Sequence, residues 1–151
     1  MPAAACRAPQ PSILLSASTA GDTRRVERRL ISSGSSFEER WGYSRAVVAG
    51  SNIYVAGTAP IMPDNADPPS DAYGQMRRCL EIAGNALAEA GSSLADVVRT
   101  RVYVVDAAHA PEAMRAHGEA FRDVRPACTG VVAQLFDERW LVELELEAVV
   151  A

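Results

Sequence analysis

The sequence contains few cysteines, carries no excess of positive charge and has no long apolar run. Its three cysteines, Cys6, Cys79 and Cys128, show no CxxC or other metal-ligand spacing, which indicates a reducing compartment and predicts a cytoplasmic protein. The net charge of −4 does not attract a phosphate backbone. No segment approaches the roughly 18 apolar residues that a membrane helix requires. These absences argue against a nucleic-acid-binding or membrane-spanning protein.

The composition is typical of one folded domain. Hydrophobic residues make up 48% of the 151 residues and charged residues 23%, which is enough to build one core. Residues 1–24 are rich in Ala, Ser and Pro, as both floppy tails and targeting segments are. Because Pro9 and Pro11 oppose an amphipathic helix, a disordered tail is the preferred prediction. The folded domain is then expected to span residues 25–151.

The first half of this domain has the pattern of three strands and a loop. Val26–Ser32 predicts a short edge strand rich in arginine. Ser44–Val48 and Ile53–Thr58 contain β-branched and small apolar residues around a turn, and they predict a hairpin. The proline-rich stretch Pro60–Ser70 predicts a loop.

The second half alternates helices and strands. Asp71–Ala90 predicts a helix with Met76, Leu80, Ala83 and Leu87 on one stripe, and Gly91 ends it. Val97–Val105 predicts a strand. A second helix is expected from Pro111 to before Pro126, and its apolar stripe comprises Met114, His117 and Phe121. The last two predicted strands are Thr129–Leu135 and Leu141–Val150.

These elements predict an α+β fold with a six-stranded mixed sheet and both helices on one face. The other face of the sheet is left uncovered. Because uncovered sheet faces of this size are usually closed by another chain or lined with polar residues, the pattern favours an oligomer.

The final strand alternates apolar and acidic residues. A period of two places Glu143, Glu145 and Glu147 on the face opposite the helices. Arg99 and Arg101 alternate in the same way on the preceding long strand, so pairing of the two strands would form a ladder of charges. A carboxylate beside a cleft can instead act as a general acid or base. Spacing alone leaves both interpretations open.

Four ordered segments resemble the RidA/YjgF family of imine and enamine deaminases. They are Trp41–Val47, Tyr54–Pro60, Ala90–Val98, and Arg125–Thr129 followed by Trp140–Glu145. The resemblance implies a chorismate-mutase-like fold and a homotrimer whose sheets surround a central barrel. It also implies small-molecule pockets at the subunit interfaces that need no metal or cofactor.

The resemblance also implies site residues. Glu143 matches the glutamate that works with a bound water, whereas Tyr43 and Gly57 match a pocket-lining tyrosine and glycine. Cys128 replaces the arginine that clamps a substrate carboxylate. The backbone from Cys128 through Thr129 to Gly130 is expected to hold water or a substrate oxygen.

Other side chains offer alternatives at this site. Arg45 replaces the family's usual glutamine and Arg115 its pocket asparagine, so either could supply a substitute cation. Cys128 could be a nucleophile, but no base partner is identifiable and an inert side chain is the preferred interpretation. His117 has the pattern of an ordinary buried histidine rather than a catalytic one.

The predicted function is therefore hydrolysis of an imine, enamine or related reactive metabolite, with Glu143 and Tyr43 as catalytic residues and an altered substrate preference. Gly57, Arg115, Cys128, Thr129 and Gly130 are the expected substrate-binding residues. The alternative is a non-catalytic trimeric module that binds a metabolite. A ribonuclease is opposed by the acidic charge balance and by the lack of an aromatic and basic patch.

Overall fold

The computed structural model describes residues 26–151, so the tail predicted at residues 1–24 lies outside the described residues. Within this range the chain forms six strands and three helices: β1 Arg28–Ile31, α1 Ser36–Trp41, β2 Ala46–Ala49, β3 Asn52–Thr58, α2 Ala72–Ala90, β4 Val97–Val104, α3 Ala110–Ala120, β5 Ala127–Val132 and β6 Val142–Val149. The predicted α+β fold is confirmed.

The strands form one mixed sheet in the order β1-β2-β3-β6-β4-β5. Among the described strands only β4 and β5 pair in parallel, and α3 connects them, as a crossover between parallel strands requires. The other neighbours are antiparallel. The last strand therefore lies in the middle of the sheet, between β3 and β4, and β5 forms an edge.

The helix α2 begins and ends as its sequence predicts. The Asp71 carboxylate accepts a hydrogen bond from the Gly74 backbone N–H at 2.8 Å, which satisfies one of the free donors of the first turn. The predicted stripe is buried against the sheet, and it comprises Met76, Leu80, Ala83 and Leu87. These side chains share one hydrophobic core with β3, β4 and β6.

The predicted apolar stripe of α3 is wrong in one residue. His117 and Phe121 are buried, but Met114 is 37% exposed. Ala113 and Ala116 face the core instead. Met114 lines a small cleft with Gly130 of the edge strand β5, because the helix reaches the margin of the sheet at this point.

Two differences from the predicted elements affect the surroundings of the site. A short helix, α1, precedes the hairpin where none was predicted. The strand expected at Thr129–Leu135 begins earlier and ends at Val132, because the chain turns away after Ala133 N–H donates its hydrogen bond to the carbonyl of Val104. The segment from Gln134 to Leu141 is therefore irregular, and it runs beside the cavity described below.

The alternation predicted for β6 is confirmed. Its apolar residues, Val142, Leu144, Leu146 and Ala148, are buried on the helix side. On the open side, Arg101 forms ion pairs with Glu145 and, at 3.3 Å, with Glu147. The open face thus carries the charge ladder that strand pairing predicts. Among residues 26–151, no helix has the length and hydrophobicity that a membrane crossing demands.

Candidate functional site

A cavity of about 680 Å³ opens beside the hairpin. Five parts of the chain line it: α1, the connection from α1 to β2, the end of β3, the loop that follows β3, and the stretch that leads into the start of β6. It brings together three of the predicted site residues, Tyr43, Gly57 and Glu143, with Arg45. This cavity is the candidate site.

The carboxyl group of Glu143 reaches the cavity through space that is free because residue 57 is a glycine. The pairing of β3 with β6 shifts register between Val55 and Thr58, which marks a bulge at this point. A Cβ atom at position 57 would overlap the Oε1 atom of Glu143. The missing side chain of Gly57 is therefore what allows the carboxyl group to lie directly against the β3 backbone.

Arg45 supports this bulge from within the fold. Its side chain is buried, and Nη2 donates hydrogen bonds to the carbonyl oxygens of Ala56 and Gly57, both at 2.6 Å. Among the described residues, the Nε atom of Arg45 is buried with no protein acceptor. A buried cation thus fixes the backbone on which Glu143 rests.

The surroundings of Glu143 favour its protonated form. Burial raises the pKa of the carboxyl group, the nearby cation of Arg45 opposes that rise, and the negative charge of Glu145 adds to it. The result is a pKa above the usual 4.5. A carboxyl group with a raised pKa exchanges protons more readily near neutral pH, as a general acid or base must.

Tyr43 enters the cavity because α1 ends directly before it. Gly42 adopts a left-handed conformation with φ 68°, which stops the helix and turns the chain toward β2. The buried Glu38 holds α1 in place, since its carboxylate accepts hydrogen bonds from Ser32 Oγ at 2.6 Å and from the Ser33 backbone N–H at 2.9 Å. The position of Tyr43 thus depends on a helix that was not predicted from the sequence.

Arg139 is a second cation beside the cavity, and its sequence context indicates only a polar turn. Its guanidinium forms ion pairs with Asp137 at 2.8 Å and with Asp67 at 3.1 Å. The hydrogen bonds from Arg139 lower the pKa of Asp137 to about 2. Asp67 stands far from Arg139 in the sequence, so this ion pair could not be inferred from spacing.

Aromatic side chains also line the cavity, and they were not predicted as a group. Both tryptophans of the chain, two of its three phenylalanines and one of its four tyrosines contact this space. The cavity residues are Phe37, Trp41, Tyr43, Phe136 and Trp140. Trp41 and Trp140 lie in two of the segments that resemble the family. This resemblance was the sequence signal from which these two residues could have been predicted.

Comparison with known proteins identifies the family. A family model described as Endoribonuclease L-PSP matches residues 34–150, which includes every residue of the cavity. The chain belongs to this family, also called RidA/YjgF. A crystal structure of a Mycobacterium tuberculosis member of the YjgF/YER057c/UK114 family superposes with a TM-score of 0.74 at 41% identity, covering 82% of this chain and 100% of that chain.

Other relatives of this RidA/YjgF chain include an uncharacterised protein of Streptomyces coelicolor, 40% identical over 121 residues, covering 80% of this chain and 90% of the relative. A RutC family protein of Pyrococcus abyssi is 34% identical, covering 68% and 82% of the two chains. The 3-aminoacrylate deaminase RutC of Acinetobacter baylyi is 32% identical over 103 residues, again covering 68% and 82%.

Four predicted substrate-binding residues of this family member lie outside the cavity of their own chain. Cys128, Thr129 and Gly130 belong to β5, where Cys128 pairs with Thr100 of β4. The guanidinium of Arg115 lies 4.1 Å from the ring centre of Tyr73 and does not line the cavity. The chain by itself therefore brings together only part of the predicted site, and the roles of these four residues stay predictions.

The cavity residues show no arrangement suited to a metal ion. Within residues 26–151, His, Cys, Asp and Glu side chains form no group of three or more at ligating positions. The expectation that the site needs no metal or cofactor stays a prediction.

Proposed function

We propose that this RidA/YjgF protein hydrolyses the C=N bond of an imine, or of an enamine after its tautomerisation, with a substrate preference that differs from that of arginine-bearing members. The placement of Glu143 carries the proposal. Its carboxyl group is half-buried, has a raised pKa and faces a cavity large enough for a small molecule. Such a group can pass protons to and from a substrate that water alone hydrolyses slowly.

The reaction needs only water and proton transfer. The substrate reacts as its protonated imine. The Glu143 carboxylate takes a proton from a water molecule as the water oxygen bonds to the imine carbon, and the C=N electron pair moves to nitrogen to give a neutral carbinolamine. Glu143 then gives this proton to the amine nitrogen, the C–N bond breaks and ammonia leaves. The hydroxyl proton passes through the Glu143 carboxylate to the released ammonia, so the products are a carbonyl compound and an ammonium ion. Tyr43 orients the nitrogen or the incoming water with its hydroxyl group.

The basic residues of the chain support water as the nucleophile. All 15 are arginines, so the sequence contains no lysine amine that could form a Schiff base with a carbonyl product. Cys128 has no identifiable base partner that would activate its thiol as a nucleophile. Direct water addition assisted by Glu143 is then the simplest route.

A relative's activity supports the reaction class. The Acinetobacter baylyi protein is named a 3-aminoacrylate deaminase, and 3-aminoacrylate is an enamine. This chain carries Cys128 at the position that the resemblance assigns to a carboxylate-binding arginine. Loss of such a charged contact commonly weakens binding by about 2–5 kcal/mol. The same chemistry is therefore proposed for different substrates.

We further propose a homotrimer in which a neighbouring copy completes the cavity with its Cys128, Thr129, Gly130 and Arg115. The open sheet face supports this assembly, because Tyr54 lies 47% exposed there beside the charge ladder. The uncovered edge strand β5 supports it as well. Light scattering at micromolar concentration measures the mass directly, and a monomer would contradict the proposal.

Ammonia release tests the hydrolase proposal. Imine and enamine mixtures are generated in situ by an amino acid oxidase, and their decay is compared with the spontaneous rate. Glu143→Gln should lose the acceleration, whereas Glu147→Gln should retain it, because Glu147 lies on the same face of β6 but outside the cavity. If only Cys128→Arg is active and wild type is inert, the proposal fails for imines of amino acids.

A binding module without turnover is the second candidate, and the cysteine at position 128 favours it. In that case the protein sequesters a metabolite at the same cavity. The two functions differ in one result. A ligand that binds with micromolar affinity while no imine decays faster than in buffer would support the binding module.

A further inference from the structure

Four of the five aromatic side chains of the cavity, all except Tyr43, have no role in the proposed hydrolysis. Phe37 and Trp41 stand one turn apart on α1 with ring centres 4.7 Å apart, and their planes differ by 30°. Phe136 and Trp140 approach from the segment that precedes β6. We call these four residues the aromatic rim.

The aromatic rim is unusually exposed for such large apolar groups. Phe37 is 46% exposed, Trp41 59% and Phe136 94%. A cluster of exposed apolar side chains around a cavity marks a binding surface more often than scattered single residues do. Flat rings stacked in this way match another planar ring, which they contact in offset or edge-to-face geometry.

The charged residues of the cavity do not favour a strongly anionic ligand. Arg139 is already paired with Asp67 and Asp137. Arg45 donates to two backbone carbonyls and lies close enough to Glu143 to influence its proton affinity. Both arginines that this chain contributes to the cavity are therefore engaged with groups of their own chain. Arg115, which we propose enters from a neighbouring copy, stacks on Tyr73.

The volume of the cavity favours a ligand that carries a ring. At about 680 Å³ it lies within the range of roughly 300–1,000 Å³ that holds drug-sized ligands. A three-carbon enamine would leave most of this volume to water. A ligand with a ring would fill it and cover exposed apolar surface.

We propose that the substrates are imines or enamines that carry a planar aromatic ring and require no carboxylate. This inference rests on the proposed hydrolase function. The ring stacks on the aromatic rim while the C=N group reaches Glu143 and Tyr43. Water then adds to the imine carbon, and the products are ammonia and an aromatic aldehyde or ketone.

A binding experiment tests the ligand class without turnover. Both tryptophans of the chain line the cavity, so intrinsic tryptophan fluorescence reports on this site. The probes are phenylacetamide, phenylacetate, propionamide and propionate. Phenylacetamide should bind at least about tenfold more tightly than propionamide, since an apolar pocket discriminates by tenfold or more for groups of this size. Tighter binding of propionate than of phenylacetamide would overturn the inference.

A turnover experiment tests the same class as substrate. A flavin amine oxidase generates carboxylate-free imines from 2-phenylethylamine or from propylamine, and ammonia release above the spontaneous rate is recorded. Wild type should accelerate hydrolysis of the phenylethyl imine at least about tenfold more than that of the propyl imine. Phe37→Ala should reduce this preference through KM. Val26→Ala, which shortens an exposed apolar side chain outside the cavity, should not.

The outcomes separate the two proposals. If phenylacetamide binds but no imine is accelerated, the hydrolase function fails and the ligand class stands. If the propyl imine is accelerated equally, the hydrolase function stands and the ligand class fails. If Phe37→Ala changes the mass measured by light scattering, the aromatic rim is a subunit contact and the inference is overturned.

Discussion

The Oε1 atom of Glu143 occupies the space in which a side chain at position 57 would begin. A side chain at position 57 would therefore push the Glu143 carboxyl group away from its place against the β3 backbone. Arg45 holds the same bulge through the carbonyls of Ala56 and Gly57. Together, Arg45, Gly57 and Glu143 determine where the carboxyl group lies in the cavity.

Gly57→Ala should displace the Glu143 carboxyl group and reduce imine hydrolysis by about 100-fold, since shifts near 1 Å can have effects of this size. Because the crowded atoms are the flexible end of the Glu143 side chain, the free energy of unfolding should fall by no more than about 1 kcal/mol. Activity and urea denaturation measure the two effects. Gly118→Ala is the control, because a Cβ there meets nothing within 4 Å. Full activity in Gly57→Ala would contradict the role of the close contact.

Glu143→Gln should stabilise the protein at neutral pH. The raised pKa means that the folded state favours protonated Glu143, so this stabilisation is complete below the unfolded value of 4.5 and is lost as pH rises through the folded pKa. The neutral amide escapes that loss. The Tm advantage of Glu143→Gln over wild type should therefore grow from pH 4 to pH 8. Glu147→Gln should show no such gain, because it breaks an ion pair with Arg101.

Arg45→Gln should raise the pKa of Glu143 further, because the opposing cation is removed. The pH at which hydrolysis becomes active, which requires ionised Glu143, should then move upward. Loss of two buried hydrogen bonds should also cost about 1–3 kcal/mol of stability. Arg45→Lys keeps the charge, so its pH profile should stay near that of wild type. Equal shifts in both variants would show that the cation does not act on Glu143.

His117 should make stability depend on pH in the opposite direction. Burial lowers its pKa, and its Nε2 atom lies 2.9 Å from Thr100 Oγ1. The stabilisation is present above the unfolded pKa of about 6.5 and is lost as pH falls through the folded value. Tm should therefore decline from pH 7 to pH 5, and His117→Gln should flatten this decline. His109→Gln, at the other histidine, should leave it unchanged.

The sheet and its two faces could be predicted because burial imposes a period of two on β6. The same alternation correctly placed Arg99 and Arg101 opposite the glutamates. No comparable alternation marks the bounds of β5 in the sequence, because all six of its residues are exposed. For that reason the predicted strand ends three residues beyond the observed one.

The short helix α1 was missed although a signal was present. Ser35 and Glu38 have the spacing of a capping box, and Ser35 does cap the helix. Glu38, however, accepts its bonds from Ser32 and Ser33. Six residues give too little periodicity to detect a helix. Two of the four residues of the aromatic rim, Phe37 and Trp41, lie on this helix. The aromatic lining of the cavity was therefore not predictable, although Tyr43, Gly57 and Glu143 were predicted as site residues.

The edge strand β5 has a consequence for how the chain behaves while nothing covers it. Its residues, Ala127–Val132, carry no charge, include no proline and expose free backbone donors and acceptors along one side. Such an edge can add a strand from any other chain. A newly made chain is therefore open to aggregation unless something covers β5. Expression yield should fall when the covering contact is weakened, even if the isolated fold stays stable.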